Sequence, residues 1–395
     1  MNQKKYLGRR EFLGLLTSGA ALCPFAGMLT AQGVGRSKEM LLYIGTYTSG
    51  ESSSEGIYIQ KFDPATGRLS PHKTVSGVED PSFLRIDRNR KFLYTVNETL
   101  EHEGQKSGAV SAFSIDRKTG SLSFLNKQSS RGGAPCHISV SRDGKFVLVA
   151  NYVGGNVAVL PVKADGSLGP AVDFEQHAGS GPDKTRQEAA HAHSIMLDAE
   201  NKYAFVNDLG IDRIMIYEFD SKNGKLAPNP KQPFYQSRPG AGPRHFKFHP
   251  GGKYAFAVNE LDMTVSSLSY DQSNGTLKDI QTISTVPAGF SGENTCADIH
   301  ISPDGRFLYT SNRGHDSIAA YRIERMSGRL ELIEHVSTRG KTPRNFAIDP
   351  SGAFMLVANQ RSDSIVTFSI DPKSGRLKFT GQAISVPSPV CLQLI

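Results

Sequence analysis

Residues 141–151 read Ser-Arg-Asp-Gly-Lys-Phe-Val-Leu-Val-Ala-Asn, a polar turn followed by an apolar run that ends in asparagine. The pattern returns at residues 249–259, 302–312 and 349–359 and, more loosely, at 87–97 and 198–208. Asp-Gly between two stretches rich in β-branched and aromatic residues is a strong signal for a tight hairpin. One hairpin is therefore repeated along the chain.

A second feature, a turn that ends in glycine between two strand-like runs, occurs seven times. The turn glycines are Gly67, Gly120, Gly166, Gly224, Gly275, Gly328 and Gly375, spaced 46 to 58 residues apart. This spacing equals the length of a four-stranded propeller blade with its loops. The sequence predicts an all-β fold, a seven-bladed β-propeller.

The two ends of the repeat region complete each other. Residues 41–46 match the second strand of a blade, so the first blade lacks an inner strand of its own. The apolar run 389–395 at the C-terminus can supply that strand and close the ring. Closure removes open sheet edges, and we expect a single propeller domain over residues 41–395.

Residues 1–31 have the parts of an export signal. Lys4 and Lys5 begin a basic segment, Arg9 and Arg10 are followed by Phe-Leu, and the apolar stretch 13–29 is broken by glycines and a proline. This pattern is typical of a twin-arginine signal peptide. We therefore expect a linker at 32–40 and a periplasmic or other extracytoplasmic location; an ordinary secretory signal and an uncleaved anchor are the alternatives.

The distribution of charge along the chain excludes some classes of binding partner. Of the net charge of +7, +3 falls within residues 1–31, and the remainder is spread along the chain without a basic cluster interleaved with aromatics. Neither a nucleic-acid partner nor stable membrane insertion after signal removal is expected, and the protein is predicted to be a monomer.

Cys136, Cys296 and Cys391 fall in non-adjacent blades and should be free, buried thiols.

Polar residues recur where the inner strands begin, on the face where the second strands end. His137, His193, Arg244, His245, His300 and Arg344 are assigned there to one level of five consecutive blades, with Asp298 beside them and Glu260 after Asn259. A single histidine here could simply cap a strand. Together they predict a site for a small anionic molecule, because arginine binds carboxylate and phosphate and histidine transfers protons.

The usual catalytic signatures are missing from the sequence. It has no Gly-x-Ser-x-Gly, His-Glu-x-x-His or P-loop motif. Histidines spread over five blades disfavour a metal, so no metal or other cofactor is predicted. The insert 178–190, just before His191, is interpreted as a solvated loop, with a lid or substrate loop as the alternative.

Two motifs carry a resemblance to a known family. Residues 240–250, continuing at 258–261, read Gly-Ala-Gly-Pro-Arg-His-Phe-Lys-Phe-His-Pro and Val-Asn-Glu-Leu, and residues 297–306 read Ala-Asp-Ile-His-Ile-Ser-Pro-Asp-Gly-Arg. These closely resemble the 6-phosphogluconolactonase family of seven-bladed propellers, also called the cycloisomerase 2 family. The resemblance covers about residues 41–395. It implies hydrolysis of a sugar δ-lactone, and some relatives open or close muconolactone rings.

The resemblance makes the basic cluster the expected site. We hypothesise that Arg244 and Arg344 hold the phosphate or carboxylate, and that His245 or His300 activates water with Glu260 orienting that imidazole. His137, His193 and Asp298 are expected to contact the substrate.

Export would separate this protein from the cytoplasmic phosphorylated lactone, so the substrate could be an unphosphorylated aldonolactone. A muconate-type cycloisomerase and a non-catalytic ligand- or protein-binding propeller remain alternatives.

Overall fold

The computed structural model describes residues 39–395, so the predicted signal 1–31 and most of the predicted linker lie outside the described residues. The regular secondary structure of this part of the chain is β-strand, apart from a short 3-10 helix at Gln360–Ser362. Within residues 39–395, no helix is long and apolar enough to cross a membrane.

The strands form seven antiparallel sheets, numbered here as blades 1 to 7. Blades 1 to 3 comprise β1 (Met40–Thr46), β2 (Gly56–Asp63), β3 (Arg68–Ser76); β4 (Leu84–Ile86), β5 (Phe92–Asn97), β6 (Ala109–Ile115), β7 (Leu122–Ser129); and β8 (Pro135–Val140), β9 (Phe146–Asn151), β10 (Asn156–Pro161), β11 (Asp173–Gln176). Blades 4 and 5 comprise β12 (Ala192–Leu197), β13 (Tyr203–Asp208), β14 (Arg213–Asp220), β15 (Lys225–Pro228), β16 (Phe234–Gln236); and β17 (Pro243–Phe248), β18 (Tyr254–Asn259), β19 (Thr264–Asp271), β20 (Thr276–Ser284). Blades 6 and 7 comprise β21 (Thr295–Ile301), β22 (Phe307–Arg313), β23 (Ser317–Ile323), β24 (Leu330–Ser337); and β25 (Pro343–Ile348), β26 (Phe354–Asn359), β27 (Ser364–Ile370), β28 (Leu377–Ser385). The last strand is β29 (Pro389–Leu394).

The ring closes as predicted. Strand β29 pairs antiparallel with β1, with Leu42 opposite Leu394 and Ile44 opposite Leu392, and so becomes the inner strand of blade 1. Met40, predicted as linker, already belongs to β1. The prediction of a seven-bladed propeller closed by its C-terminal strand is confirmed.

The two halves of the sequence repeat pack on each other between neighbouring blades. Gly275 of blade 5 has φ +67°, and a Cβ atom there would lie 2.5 Å from the ring of Tyr203 in blade 4. The other turn glycines lie in the same way against the preceding blade, on Phe354, Leu41, Phe92, Phe146, Tyr254 and Phe307. The glycine of one blade therefore fits a large side chain at or next to the start of the second strand of the blade before it.

A β-bulge near the start of the inner strands aims the polar residues. In β17 the pairing shifts between Pro243 and His245, which leaves Arg244 as the extra residue. The same shift occurs in β8, β12 and β25. A bulge changes the direction of side chains at the point where it interrupts the hydrogen-bond ladder. Two consecutive residues of these strands can therefore both point into the central channel.

The register corrects one element of the sequence prediction. Pro243 pairs with Asn259, and Cys296 pairs with Asn312; in both pairs the asparagine stands 16 residues later in the chain. Asp298, and not His300, therefore occupies the level of His245. His300 lies two residues further along β21, at the level of Lys247.

The repeated asparagines bond the backbone of loops, and the prediction for the cysteines is confirmed. Asn151 and Asn312 donate to the backbone carbonyls of Ser130 and Thr285 in the loops before the inner strands. The three cysteines of the described chain, Cys136, Cys296 and Cys391, are free and buried.

Candidate active site

The polar side chains fill the central channel at two levels. We call the end where the inner strands begin the upper channel, and the level of Arg85, Lys247 and His300 the lower channel. The upper channel brings together charged and imidazole side chains from five blades, among them Glu98, His193, Arg244, Glu260, Arg313 and Arg344.

Glu260 is the centre of a guanidinium cluster. Its Oε2 accepts from Arg244 Nε and Arg313 Nη2, both at 2.8 Å, and its Oε1 accepts from Arg186 Nη2 at 2.6 Å. Burial opposes ionisation of Glu260, but the charges of these three arginines outweigh it and hold its pKa well below the ordinary value. Glu260 contacts no imidazole among the described residues, so the prediction that it orients one is wrong.

Arg186 comes from the insert 178–190, which is more than a solvated loop. Gln187 is fully buried and donates to Leu209 O at 2.8 Å and to Asp212 Oδ1 at 2.7 Å. Asp183 Oδ1 accepts from the backbone of Thr185 and Arg186. These bonds fix the loop against blade 4, and Arg186 reaches from it into the upper channel.

Arg244 is 2% exposed and almost fully bonded. Besides the bond to Glu260, its Nη1 donates to Ala297 O at 2.5 Å and to His245 Nε2 at 3.1 Å. Its Nη2 has no hydrogen-bond partner within residues 39–395. Arg244 can therefore offer one guanidinium nitrogen to a ligand.

Asp298 is the residue that orients imidazoles. Its Oδ1 accepts from His245 Nδ1 at 2.8 Å, and its Oδ2 pairs with His300 Nε2 at 3.0 Å and with Asn345 Nδ2 at 2.5 Å. The backbone N–H of Ile299 donates to Oδ1 as well. With both oxygens occupied, Asp298 has a positioning role, which corrects its prediction as a substrate-binding residue.

The two histidines predicted to activate water are both held by this carboxylate. Burial and the charge of Arg244 lower the pKa of His245 to about 3 against the pull of Asp298, so His245 is neutral. Its Nδ1 donates to Asp298 and its Nε2 accepts from Arg244, which leaves no free nitrogen. His300 faces the lower channel, away from the arginine cluster.

Glu98 is a second buried carboxyl group of the upper channel. Its Oε2 accepts from Tyr47 Oη at 2.9 Å and from Ser82 Oγ, and Arg344 Nη2 donates to the same Tyr47 oxygen at 2.8 Å. Burial raises the pKa of Glu98 despite Arg344 and these hydrogen bonds. Its Oε1 has no partner in the described chain. One narrow pocket is lined by Ser82, Phe83, Glu98, Cys136, Arg244, His245, Arg344 and Val390.

Aromatic and imidazole rings close the channel beneath this pocket. The ring of Phe83 lies 4.3 Å from that of His137 and 5.8 Å from that of His245, and the two imidazoles are 5.5 Å apart. His137 Nδ1 accepts from the backbone N–H of Ile195 at 3.3 Å. His193 lies next to His245, 5.4 Å between ring centres, and Cys136 Sγ lies 3.8 Å from its Nδ1.

Comparison with known proteins agrees with this architecture. The family model for the lactonase, 7-bladed beta-propeller, matches residues 41–394. The chain belongs to this lactonase family. The 6-phosphogluconolactonase of Bacillus subtilis is 40% identical over 353 residues, 89% of this chain and 97% of that protein. The 6-phosphogluconolactonase of Formosa agariphila is 38% identical over 309 residues, 78% and 86% of the two chains.

A solved structure is similar over the whole ring. The periplasmic gluconolactonase of Pseudomonas aeruginosa superposes with a TM-score of 0.84 at 35% identity, covering 91% of this chain and 99% of that one. The family resemblance expected from the two motifs is therefore confirmed.

Several charged residues of this lactonase-family channel were not among the predicted site residues. Glu98 and Arg313 follow Asn97 and Asn312 just as Glu260 follows Asn259, and this position predicts that they lie on the same face, but no role in the site was predicted for them. Tyr47 and Arg186 lie in loops outside the repeat, where no periodicity points to them. Within residues 39–395, no three His, Cys, Asp or Glu side chains converge in an arrangement that could hold a metal ion.

Proposed function

We propose that this protein is a lactonase that hydrolyses an unphosphorylated aldonolactone of the gluconolactone type outside the cytoplasm. The observation that carries the proposal is Glu98, a buried carboxyl group that shares one pocket with Arg244 and Arg344 in a lactonase-family propeller. Support for the compartment comes from the twin-arginine pattern in the sequence and from the similarity to a periplasmic gluconolactonase.

Substrate binding falls to the arginines with unused donors. Arg244 Nη2 has no hydrogen-bond partner in the described chain, and among its side-chain donors Arg344 uses only Nη2, which donates to Tyr47 Oη. Three of the four guanidinium groups of the upper channel share Glu260, so part of their charge is already neutralised. Such a pocket suits a polar, uncharged lactone whose carbonyl oxygen gains negative charge during the reaction.

Glu98 is the proposed general base. Its Oε1 takes a proton from water as the water oxygen bonds to the lactone carbonyl carbon, and Arg244 and Arg344 stabilise the resulting oxyanion. The bond between this carbon and the ring oxygen then breaks, and the proton held by Glu98 passes to the leaving ring oxygen. The product is the open hydroxy acid, whose carboxyl group ionises in water.

The histidines act indirectly in this scheme. Asp298 holds His245, and His245 in turn accepts a hydrogen bond from Arg244, so this chain of bonds fixes the guanidinium group in the pocket. His245 is therefore a positioning residue. His193 lies against Cys136 and His245, which line this pocket, and is assigned to the substrate hydroxyl groups.

The test offers the purified mature protein three lactones, with spontaneous hydrolysis subtracted. Gluconolactone should be hydrolysed with a higher kcat/KM than 6-phosphogluconolactone, and a muconolactone should be left unchanged. A preference for 6-phosphogluconolactone would overturn the unphosphorylated assignment. Turnover of the muconolactone alone would favour the cycloisomerase, and no acceleration of any lactone would favour a binding propeller.

A further inference from the structure

The lower channel carries charges that the proposed reaction does not use. Arg85 of blade 2 and Lys247 of blade 5 lie two residues beyond the ring layer of Phe83 and His245 on their strands. Side chains two residues apart on a strand point to the same side. The hydrogen bond between Asp298 and His300 shows this alternation in β21. Arg85 and Lys247 therefore face the channel, one level lower.

These two cations have no anionic partner. Within residues 39–395, neither Arg85 nor Lys247 makes a salt bridge or a side-chain hydrogen bond. Burial lowers the pKa of Lys247 to about 8, and the positive charge of Arg85 acts in the same direction. The charge of Asp298 reaches both, but its oxygens are already bonded to His245, His300 and other donors. Both side chains are half-buried, and two like charges at one level repel each other unless an anion neutralises them.

A neutral donor at the same level is also unpaired. Ser139 of blade 3 is 4% exposed, and its buried Oγ has no hydrogen-bond partner in the described chain. Buried hydroxyl groups are almost always bonded. The lower channel thus combines a guanidinium, an ammonium and a hydroxyl group from three blades, none of which has a protein partner.

The lower channel is separate from the upper one. The rings of Phe83, His137 and His245, which come from blades 2, 3 and 5, meet between the two levels. A ligand of Arg85 and Lys247 would therefore enter from the opposite face of the propeller, which carries the hairpin turns. It would not compete directly with a lactone held by Arg344.

We infer that the lower channel is a binding site for a small tetrahedral oxyanion, namely phosphate or the phosphate group of a sugar phosphate. Arginine offers two parallel donors to such an anion, lysine adds a point charge, and a serine hydroxyl completes a set of donors around it. The inference does not rest on the proposed lactonase activity, because its residues lie on the far side of the ring layer.

Calorimetry and thermal unfolding of the purified protein test this site with inorganic phosphate at constant ionic strength, against chloride. Phosphate should bind and raise the Tm, since a ligand that binds only the folded state stabilises it. Lys247→Met and Arg85→Met should each weaken phosphate binding at least about tenfold and lose the Tm increase. Circular dichroism of both variants checks that they fold.

Matched controls separate this site from the upper channel. Lys278→Met and Arg88→Met remove exposed charges and should keep the phosphate effect. Arg344→Met should also keep it, although that residue belongs to the lactone pocket. Phosphate stabilisation that survives both Lys247→Met and Arg85→Met but disappears in Arg344→Met would overturn the inference, as would the absence of phosphate binding to the unmodified protein.

A second ligand distinguishes the two sources of the phosphate group. If 6-phosphogluconate binds more tightly than inorganic phosphate and both need Lys247, the site takes a sugar phosphate. If inorganic phosphate binds more tightly, the site takes the free ion. Gluconate, which lacks the phosphate group, should have no effect that depends on Lys247. Gluconolactone turnover, measured alongside, reports the upper channel independently.

Discussion

Arg186 donates a 2.6 Å hydrogen bond to Glu260, which connects the loop between β11 and β12 with the end of β18 in the neighbouring blade. The Arg186 side chain is partly exposed, whereas that of Glu260 is 4% exposed. The loop thus helps to neutralise the carboxylate that also anchors Arg244. This bond connects a loop outside the repeat with the guanidinium cluster of the upper channel.

Replacing Arg186 should therefore impair substrate binding more than chemistry. Without the hydrogen bond from Arg186, the charge of Glu260 is balanced by Arg244 and Arg313 alone. Arg244 is then held more tightly by Glu260 and is less available to the lactone. We expect Arg186→Met to raise KM about tenfold while kcat changes little. Steady-state kinetics on gluconolactone measures this, with Lys184→Met, an exposed charge of the same loop, as the control. A large fall in kcat at constant KM would contradict the binding role.

Glu98→Gln should abolish most of the chemistry and preserve the fold. The amide keeps the size of the side chain and can still bond Tyr47, but it cannot accept a proton. We expect kcat to fall by about 10²- to 10³-fold with KM nearly unchanged. Glu101→Gln, an exposed carboxyl group three residues further along the chain, should behave as the unmodified protein does.

The pH profile provides a second measure of Glu98. A general base works only when ionised, and burial raises the pKa of Glu98 above the ordinary 4.5. In the unmodified protein kcat should therefore decline as the pH falls through that raised pKa. The Glu98→Gln variant should lack this acid limb. An identical limb in both proteins would assign it to another group.

Buried neutral histidines should make the protein sensitive to mild acid. Burial lowers the pKa of His137, His193 and His245, whereas the unfolded chain binds a proton at each near pH 6.5. As the pH falls below about 6.5 the unfolded state gains protons that the folded state does not, so stability decreases. Glu98 acts in the opposite direction, because its pKa is raised on folding.

Three histidines act against one carboxyl group, so the free energy of unfolding should fall as the pH decreases from about 6.5 to 5, by about 1.4 kcal/mol per pH unit for each proton that the unfolded state binds in excess. Urea unfolding at several pH values measures the slope. His193→Gln should reduce it by about 1.4 kcal/mol per unit, and a slope unaffected by that variant would show that His193 does not remain neutral in the fold.

The sequence predicted the ring because both halves of its repeat contact each other. The second strand of each blade has a large side chain at or next to its start, and that side chain packs on the turn glycine of the next blade. Tyr203 and Gly275, separated by 72 positions in the chain, are one such pair. Packing between repeats enforces their spacing, so a count of glycines was enough to count blades.

The site was less predictable, because its chemistry depends on register and on loops. Aligning Asp298-Ile299-His300 with Pro243-Arg244-His245 placed His300 one level too high. Pro243 stands 16 residues before Asn259, and the residue 16 positions before Asn312 is Cys296. Aligning Cys296 with Pro243 would have matched Asp298 with His245. No such rule locates Arg186 or Tyr47, since the loops that carry them differ from blade to blade.

The packing between blades can be tested at a single glycine. Gly275→Ala places a methyl group at φ +67° and 2.5 Å from the Tyr203 ring, whereas Gly289→Ala places one at φ +80° with no atom within 4 Å. Both variants carry backbone strain of about 1 kcal/mol, but only the first must also displace an aromatic ring. We expect Gly275→Ala to destabilise the protein by about 2 to 4 kcal/mol and Gly289→Ala by about 1 kcal/mol, measured by urea unfolding. Equal losses would mean that the glycines serve only their turns, and that the contact with the preceding blade does not explain the spacing of the repeat.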